Sequence, residues 1–330
     1  MVRILLIVLL APLAKAATPI DSMEAAIRSG EFKKITSIAV SRHGETVYER
    51  YFEGDASTLR NTRSATKTVT GMLAGIAIEK GLLASVNAPI APFFADHQPF
   101  KYPDPLKSAI TVEDLLTMNS ALDCNDNVDR SPGNEEKMYP TKDWVRFTFD
   151  LPVRKDRGFS YCTAGVTMLG EVIQRATKTP VPVFAQKNLF DPLGIERTQW
   201  SYSPTGTAMT GGGLELATRD LMKLAQLYAN KGEWNGKRIV SQEWVNTSVR
   251  PRLRIDDHTE YGYLWWITSF QSGGKAYPAY FMTGNGGNKV VVIPESGLIV
   301  VITSTNYNTR GMHQQTERLL TEYILPQFAK

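Results

Sequence analysis

Strand-like patterning in this chain is confined to its two ends. Residues 36–41 and 46–52 alternate apolar and polar positions and flank the turn-like Arg42-His43-Gly44-Glu45. The next such segments are 280–283, 289–293 and 298–304, separated by Gly-rich turns and preceded by an aromatic-rich stretch at 263–268. A hairpin cannot bury a face alone, so its partners must come from the far end of the chain. Between them the periodicity is helical. The pattern predicts an α+β fold: an antiparallel sheet built from both chain ends, flanked by helices and carrying an inserted all-α lobe. The sheet part covers about 17–80 and 255–330, the lobe about 81–254. A site belongs in the cleft between them.

The helical calls rest on caps and breakers. A short helix is expected at 21–30, and Thr111 with Asp114 makes a capping box ahead of another through Met118. Helices are also predicted over 141–150, 163–176 and 183–190. Thr218 is read as the cap of a helix through Tyr228, and Ser241 starts one more. A terminal helix runs over 314–328, while 119–140 is polar and irregular.

Composition excludes several classes. A net charge of +4 spread over 330 residues, without a basic block, gives no nucleic-acid signature. Four scattered histidines and two cysteines offer no zinc spacing, and Gly211-Gly212-Gly213 lacks the Lys-Ser/Thr of a phosphate loop. Residues 1–16 read as a secretory signal peptide: Arg3, an apolar run from Ile4 to Leu13, then Ala14-Lys15-Ala16. The mature chain is therefore expected to be exported, periplasmic or secreted, with no stable membrane span. In an oxidising compartment Cys124 and Cys162 can pair.

The chemistry centres on Ser64-Ala65-Thr66-Lys67, which opens the apolar, small-residue run 68–80 closed by Gly81. That run reads as a buried helix with Ser64 at its start and Lys67 one turn on, on the same face. Backbone N–H groups there favour developing negative charge, and a desolvated lysine can act as a base toward the hydroxyl. A serine in this place is more commonly a simple cap. A second S-x-x-K, Ser272-Gly273-Gly274-Lys275, reads as a hairpin turn.

With two further motifs the chain resembles the penicillin-recognising serine hydrolases: class C β-lactamases, D-alanyl-D-alanine peptidases, related esterases and 6-aminohexanoate-dimer hydrolases. One motif is Phe159-Ser160-Tyr161-Cys162-Thr163, followed by Gly165 and Leu169-Gly170, like the family's Y-x-N or Y-x-S with Thr163 in the third place. The rival Tyr228-Ala229-Asn230 reads as a helix end. The other is Met282-Thr283-Gly284-Asn285-Gly286-Gly287, in place of K-T-G. Either Met282-Thr283-Gly284 or Asn285-Gly286-Gly287 occupies the motif, and the first register is preferred. The resemblance implies a β-lactamase/transpeptidase-like fold and an acyl-enzyme on Ser64. Lys67 and Tyr161 would share the base role, and the N–H groups of Ser64 and Asn285 would hold the oxyanion beside Thr283 and Gly284. No cofactor is required. It places both cysteines beside the site, where a Cys124–Cys162 bridge would pin Tyr161. The substrate is expected to be a small ester, amide or peptide. The motif's lysine is missing, so β-lactams and cell-wall peptides are the alternative, with Lys289 or Arg310 as other cations for a carboxylate. A non-catalytic penicillin-binding sensor is the second alternative.

Overall fold

The computed structural model of the protein describes residues 18–329. The expected signal peptide, residues 1–16, lies outside the described residues. Eight strands form one antiparallel sheet. In order across it they are Glu45–Tyr51, Ile35–Arg42, Leu298–Ser304, Asn288–Ile293, Lys275–Gly284, Trp266–Ser272, Thr259–Tyr261 and Leu253–Arg254. The two ends of the chain meet where Val40 pairs with Val300.

Strand alternation sorts the core into two layers. Ala39, Met282, Val290, Val292 and Val301 face the long helices Thr66–Glu79, Thr163–Thr177 and Thr218–Ala229. Ile38, Val40, Phe281, Val291 and Ile302 face the terminal helices through Met23, Ile27, Leu319 and Ile324. The first of those helices, Pro19–Arg28, has the capping box of Thr18 and Asp21. Among the described residues no helix is long and apolar enough to cross a membrane.

Three local expectations are corrected. Thr218 is the first residue of its helix, not the cap, which is Ala217. Its hydroxyl instead meets Ser37 Oγ at 2.7 Å, so tertiary contact outweighs capping preference. The aromatic run at 263–268 is not one strand. Tyr261 ends one strand, Trp266 opens the next, and between them Gly262 N–H donates to the Trp265 carbonyl with Leu264 at φ 58°. Residues 261–265 are nevertheless buried, which is what their apolarity recorded. The inserted lobe is not purely helical either. Its Leu214–Leu216 and Gln199–Trp200 form a small three-stranded sheet with Arg60–Asn61 of the sheet part, and its Glu233–Trp234 pairs with Lys237–Arg238.

Candidate active site

Ser64 lies in a single 3-10 turn, Arg63–Ala65, that leads into the buried helix Thr66–Glu79. Neither element has a side-chain cap. The Ser64 hydroxyl is thus not spent on capping, and it accepts from Lys67 Nζ at 2.9 Å. Lys67 is 1 % exposed. Its Nζ also donates to the Gly211 carbonyl at 2.5 Å and stands 4.8 Å from the centre of the Tyr161 ring. Ser64, Lys67 and Tyr161 are therefore brought together. By contrast, Ser272 and Lys275 face each other across a two-residue turn with Gly273 and Gly274 at positive φ. Tyr228 is 1 % exposed near the end of its helix, with Asn230 as the C-cap.

The strand Lys275–Gly284 passes Ser64 at Gly284. A methyl group there would stand 1.9 Å from the Thr62 carbonyl oxygen and 2.9 Å from Ser64 N. Only a glycine allows this approach, and it is the glycine of the first register. Gly286 and Gly287 sit elsewhere, with φ 92° and 85°, against Ser304 and Met312. Asn288 ties the turn together by donating to the Asn285 carbonyl at 2.7 Å and accepting from Ser304 N at 2.9 Å. The Asn285 side chain is committed to Asn308.

Met282 is fully buried toward the helical lobe. Lys289 pairs with Thr283 across the strands and lies over the Phe281 ring, on the face of the terminal helices. Burial pushes its ammonium down to about 8, opposed by Glu317. Beside it, burial and then the Lys289 charge push His313 down to about 4. His313 Nδ1 is 3.4 Å from Thr283 Oγ1, so Thr283 also points away from Ser64.

A cleft of about 280 Å³ opens at Ser64. Asn61, Arg63, Asn285, Tyr307 and Asn308 line it together with Ser64, and Glu135, Glu136, Tyr139 and Trp144 also contribute. Gly212 and Gly213 complete it.

Two features escaped sequence reasoning. The first is Asp126. Its carboxylate accepts from Thr163 N at 2.7 Å and from Glu135 N at 3.0 Å, while its own N–H donates to the Tyr161 carbonyl at 2.8 Å. Burial pushes this carboxyl up to about 6, against the opposing influence of the Lys67 charge. A lone aspartate in a polar loop carries no signal for this. Thr163, in the third place of the Y-x-N motif, meets Asp126 through its backbone N–H. Its Oγ1 is buried without a hydrogen-bond partner. The second feature is the Gly211 carbonyl. A methyl on Gly211 would stand 2.7 Å from Thr163 Cγ2, so the glycine run lets this backbone reach Lys67. The run itself was the available signal.

A disulfide joins Cys124 to Cys162, with a Cα–Cα separation of 5.4 Å. Ser160 Oγ donates to the Cys124 carbonyl at 2.6 Å. The loop 124–126 and the segment 160–163 are thus stitched by one covalent bond and three hydrogen bonds around Tyr161.

A helix-borne Ser-Lys pair facing a Tyr, with a sheet strand drawn across the serine, defines the penicillin-recognising serine hydrolase class. The chain belongs to the beta-lactamase family, whose model matches residues 34–323. It is 25 % identical over 260 residues to the 6-aminohexanoate-dimer hydrolase of Paenarthrobacter ureafaciens, covering 71 % of this chain and 64 % of that protein. It is 28 % identical over 246 residues to the lovastatin esterase of Penicillium rubens, covering 60 % of this chain and 61 % of that protein. The matches thus span less than two thirds of either relative's length. The fold is shared with the octameric penicillin-binding protein homologue from Pyrococcus abyssi at a TM-score of 0.71 and 18 % identity, over 94 % of this chain and 78 % of that one.

Proposed function

We propose that this protein hydrolyses small esters or amides through a covalent acyl-enzyme on Ser64. The observation that carries this reading is the 2.9 Å contact between Lys67 Nζ and Ser64 Oγ, on a serine that caps nothing and opens onto a cleft. The two relatives, named a 6-aminohexanoate-dimer hydrolase and a lovastatin esterase, support the substrate class.

In this reading Ser64 Oγ bonds to the substrate carbonyl carbon while its proton passes to the base shared by Lys67 and Tyr161. The oxyanion lies between the N–H groups of Ser64 and Asn285. The leaving alcohol or amine takes the proton as its bond to the acyl carbon breaks. Water then adds to the acyl-enzyme with its proton passing to the same base, and Ser64 is released. The fully buried Met282 supplies no cation at the K-T-G position itself, so the carboxylate contact that K-T-G enzymes make from that strand is lost, which weighs against β-lactams bound in the K-T-G manner. The cystine and the N-terminal stretch support a periplasmic or secreted location.

The test is turnover of p-nitrophenyl butyrate with fluorophosphonate labelling. Ser64→Ala abolishes both, whereas Ser272→Ala leaves both near wild type. Activity in a Ser64→Ala protein freed of contaminating hydrolases removes the assignment. A wild-type protein that binds penicillin but turns over no ester or amide establishes the sensor reading instead.

A further inference from the structure

Arg63, immediately before the nucleophile, has a backbone conformation unusual for its residue type. Its φ is 53°, in the left-handed region that costs a side-chain-bearing residue energy and that clusters at functional sites. The guanidinium is held by Tyr307 and not by an acidic side chain. Among the described residues no carboxylate lies within ion-pair distance of it. It rests over the Tyr307 ring at 4.4 Å from the ring centre. Tyr307 is fixed in turn by its hydroxyl, which donates to the Asn61 carbonyl at 2.7 Å. Arg63 is the one cation among the described residues lining the cleft, next in sequence to Ser64 and sharing the cleft with Asn285; the carboxylates of Glu135 and Glu136 line it as well, so Arg63 is the only lining group that can attract an anion. Lys289, the strand lysine nearest the third motif, is withdrawn to the opposite face of the sheet.

Resting on the acyl-enzyme reading above, we propose that Arg63 is a specificity residue that pairs with a carboxylate on the substrate, so that the preferred ester or amide is an anionic one. A planar guanidinium has five N–H donors, so one that rests against Tyr307 and interacts with its hydroxyl still has donors for a two-point contact with a carboxylate. The left-handed turn at Arg63 and the aromatic ring beneath it then position a cation from the nucleophile's own loop, where the third motif supplies only Met282.

The test compares three esters by kcat/KM: neutral p-nitrophenyl butyrate, p-nitrophenyl hemiglutarate with the carboxylate on the acyl side, and 3-butyryloxybenzoate with it on the leaving group. With each rate divided by that ester's own hydroxide-catalysed hydrolysis rate, wild type should favour at least one anionic ester over the neutral one. In Arg63→Gln that anionic-to-neutral ratio should fall about ten-fold, the lower end for a charge-assisted contact because Arg63 faces solvent. Arg63→Lys should restore part of it, and Arg63→Glu should push the ratio below that of Arg63→Gln. Raising the ionic strength should erode the wild-type preference without any substitution, which covers the case of a variant that folds poorly. The arm that responds tells which side carries the anion. A wild-type enzyme that turns over the neutral ester but shows no anionic preference overturns the proposal, as do ratios unchanged in Arg63→Gln. Absence of turnover on all three esters defeats instead the acyl-enzyme reading.

Discussion

Removing the Cys124–Cys162 bridge tests how the Tyr161 segment is held. The bridge closes a loop of 38 residues. The chain-entropy relation gives about 4 kcal/mol of stabilisation for a loop of that size, from the freedom it denies the unfolded chain. Three hydrogen bonds still join the same two segments when the bond is cut: Asp126 N to the Tyr161 carbonyl, Thr163 N to Asp126, and Ser160 to the Cys124 carbonyl. Tyr161 should therefore loosen rather than leave. The expected loss in kcat is about ten-fold, below the roughly 10²-fold cost of a full ångström of misplacement. Equilibrium urea unfolding is measured for the oxidised protein, for the protein refolded with both thiols reduced, and for Cys124→Ala/Cys162→Ala. The reduced wild type keeps both sulfurs, so its difference from the oxidised form isolates the cross-link from packing. Wild-type stability after reduction, to within about 1 kcal/mol, refutes the entropic argument. Unchanged kcat in a protein shown to be reduced refutes the coupling to Tyr161.

Lys67→Ala and Tyr161→Phe should each lower kcat/KM by on the order of 10² or more, the scale of losing a general base; rates within a few-fold of wild type for both remove the shared-base mechanism. Asp126 holds its proton more tightly in the folded protein, at about 6, than at its usual 3.8. Its contribution is thus fully present below the lower value and is lost as pH rises through the upper one. Against Asp126→Asn, wild type should lose up to about 3 kcal/mol of relative stability between about pH 4 and about pH 7, and a flat difference in urea unfolding contradicts the burial argument. Gly284→Ala introduces a methyl 1.9 Å from the Thr62 carbonyl oxygen on an otherwise permissive backbone. It should cost about 1–3 kcal/mol of stability by overpacking and lower kcat/KM by about 10²-fold as the strand is pushed off Ser64. Wild-type rates in that variant would show that the strand does not serve the nucleophile.

What the sequence made legible is what local chemistry encodes. The 35–51 hairpin, the Thr111 capping box and the central strands near the C-terminus each carry their period or turn residues within a few positions. The Ser64–Lys67 spacing is legible for the same reason, since one helical turn fixes it. What was missed depends on partners distant in the chain. Thr218 gave up its capping role to Ser37, 181 residues away. The aromatic run at 263–268 looked continuous because burial and strand pairing leave the same apolar mark. Asp126 and Arg63 are ordinary residues in polar loops. Only the return of Tyr161 beside the first, and of Tyr307 beneath the second, gives them their setting.

The closure of the sheet by strands from both chain ends has a consequence for biosynthesis. The helix bearing Ser64 emerges early, yet its fixed neighbours emerge late. Lys67 waits for Gly211, 144 residues on, and Thr68 for the Leu264 carbonyl, 196 residues on. Strand Ile35–Arg42 has no central partner until Leu298–Ser304 has been made. So high a contact order delays cooperative folding until nearly the whole polypeptide is available. A nascent chain interrupted before the last strands carries Ser64 and Lys67 without their surrounding pocket, so covalent labelling of Ser64 should appear only once those strands have been made.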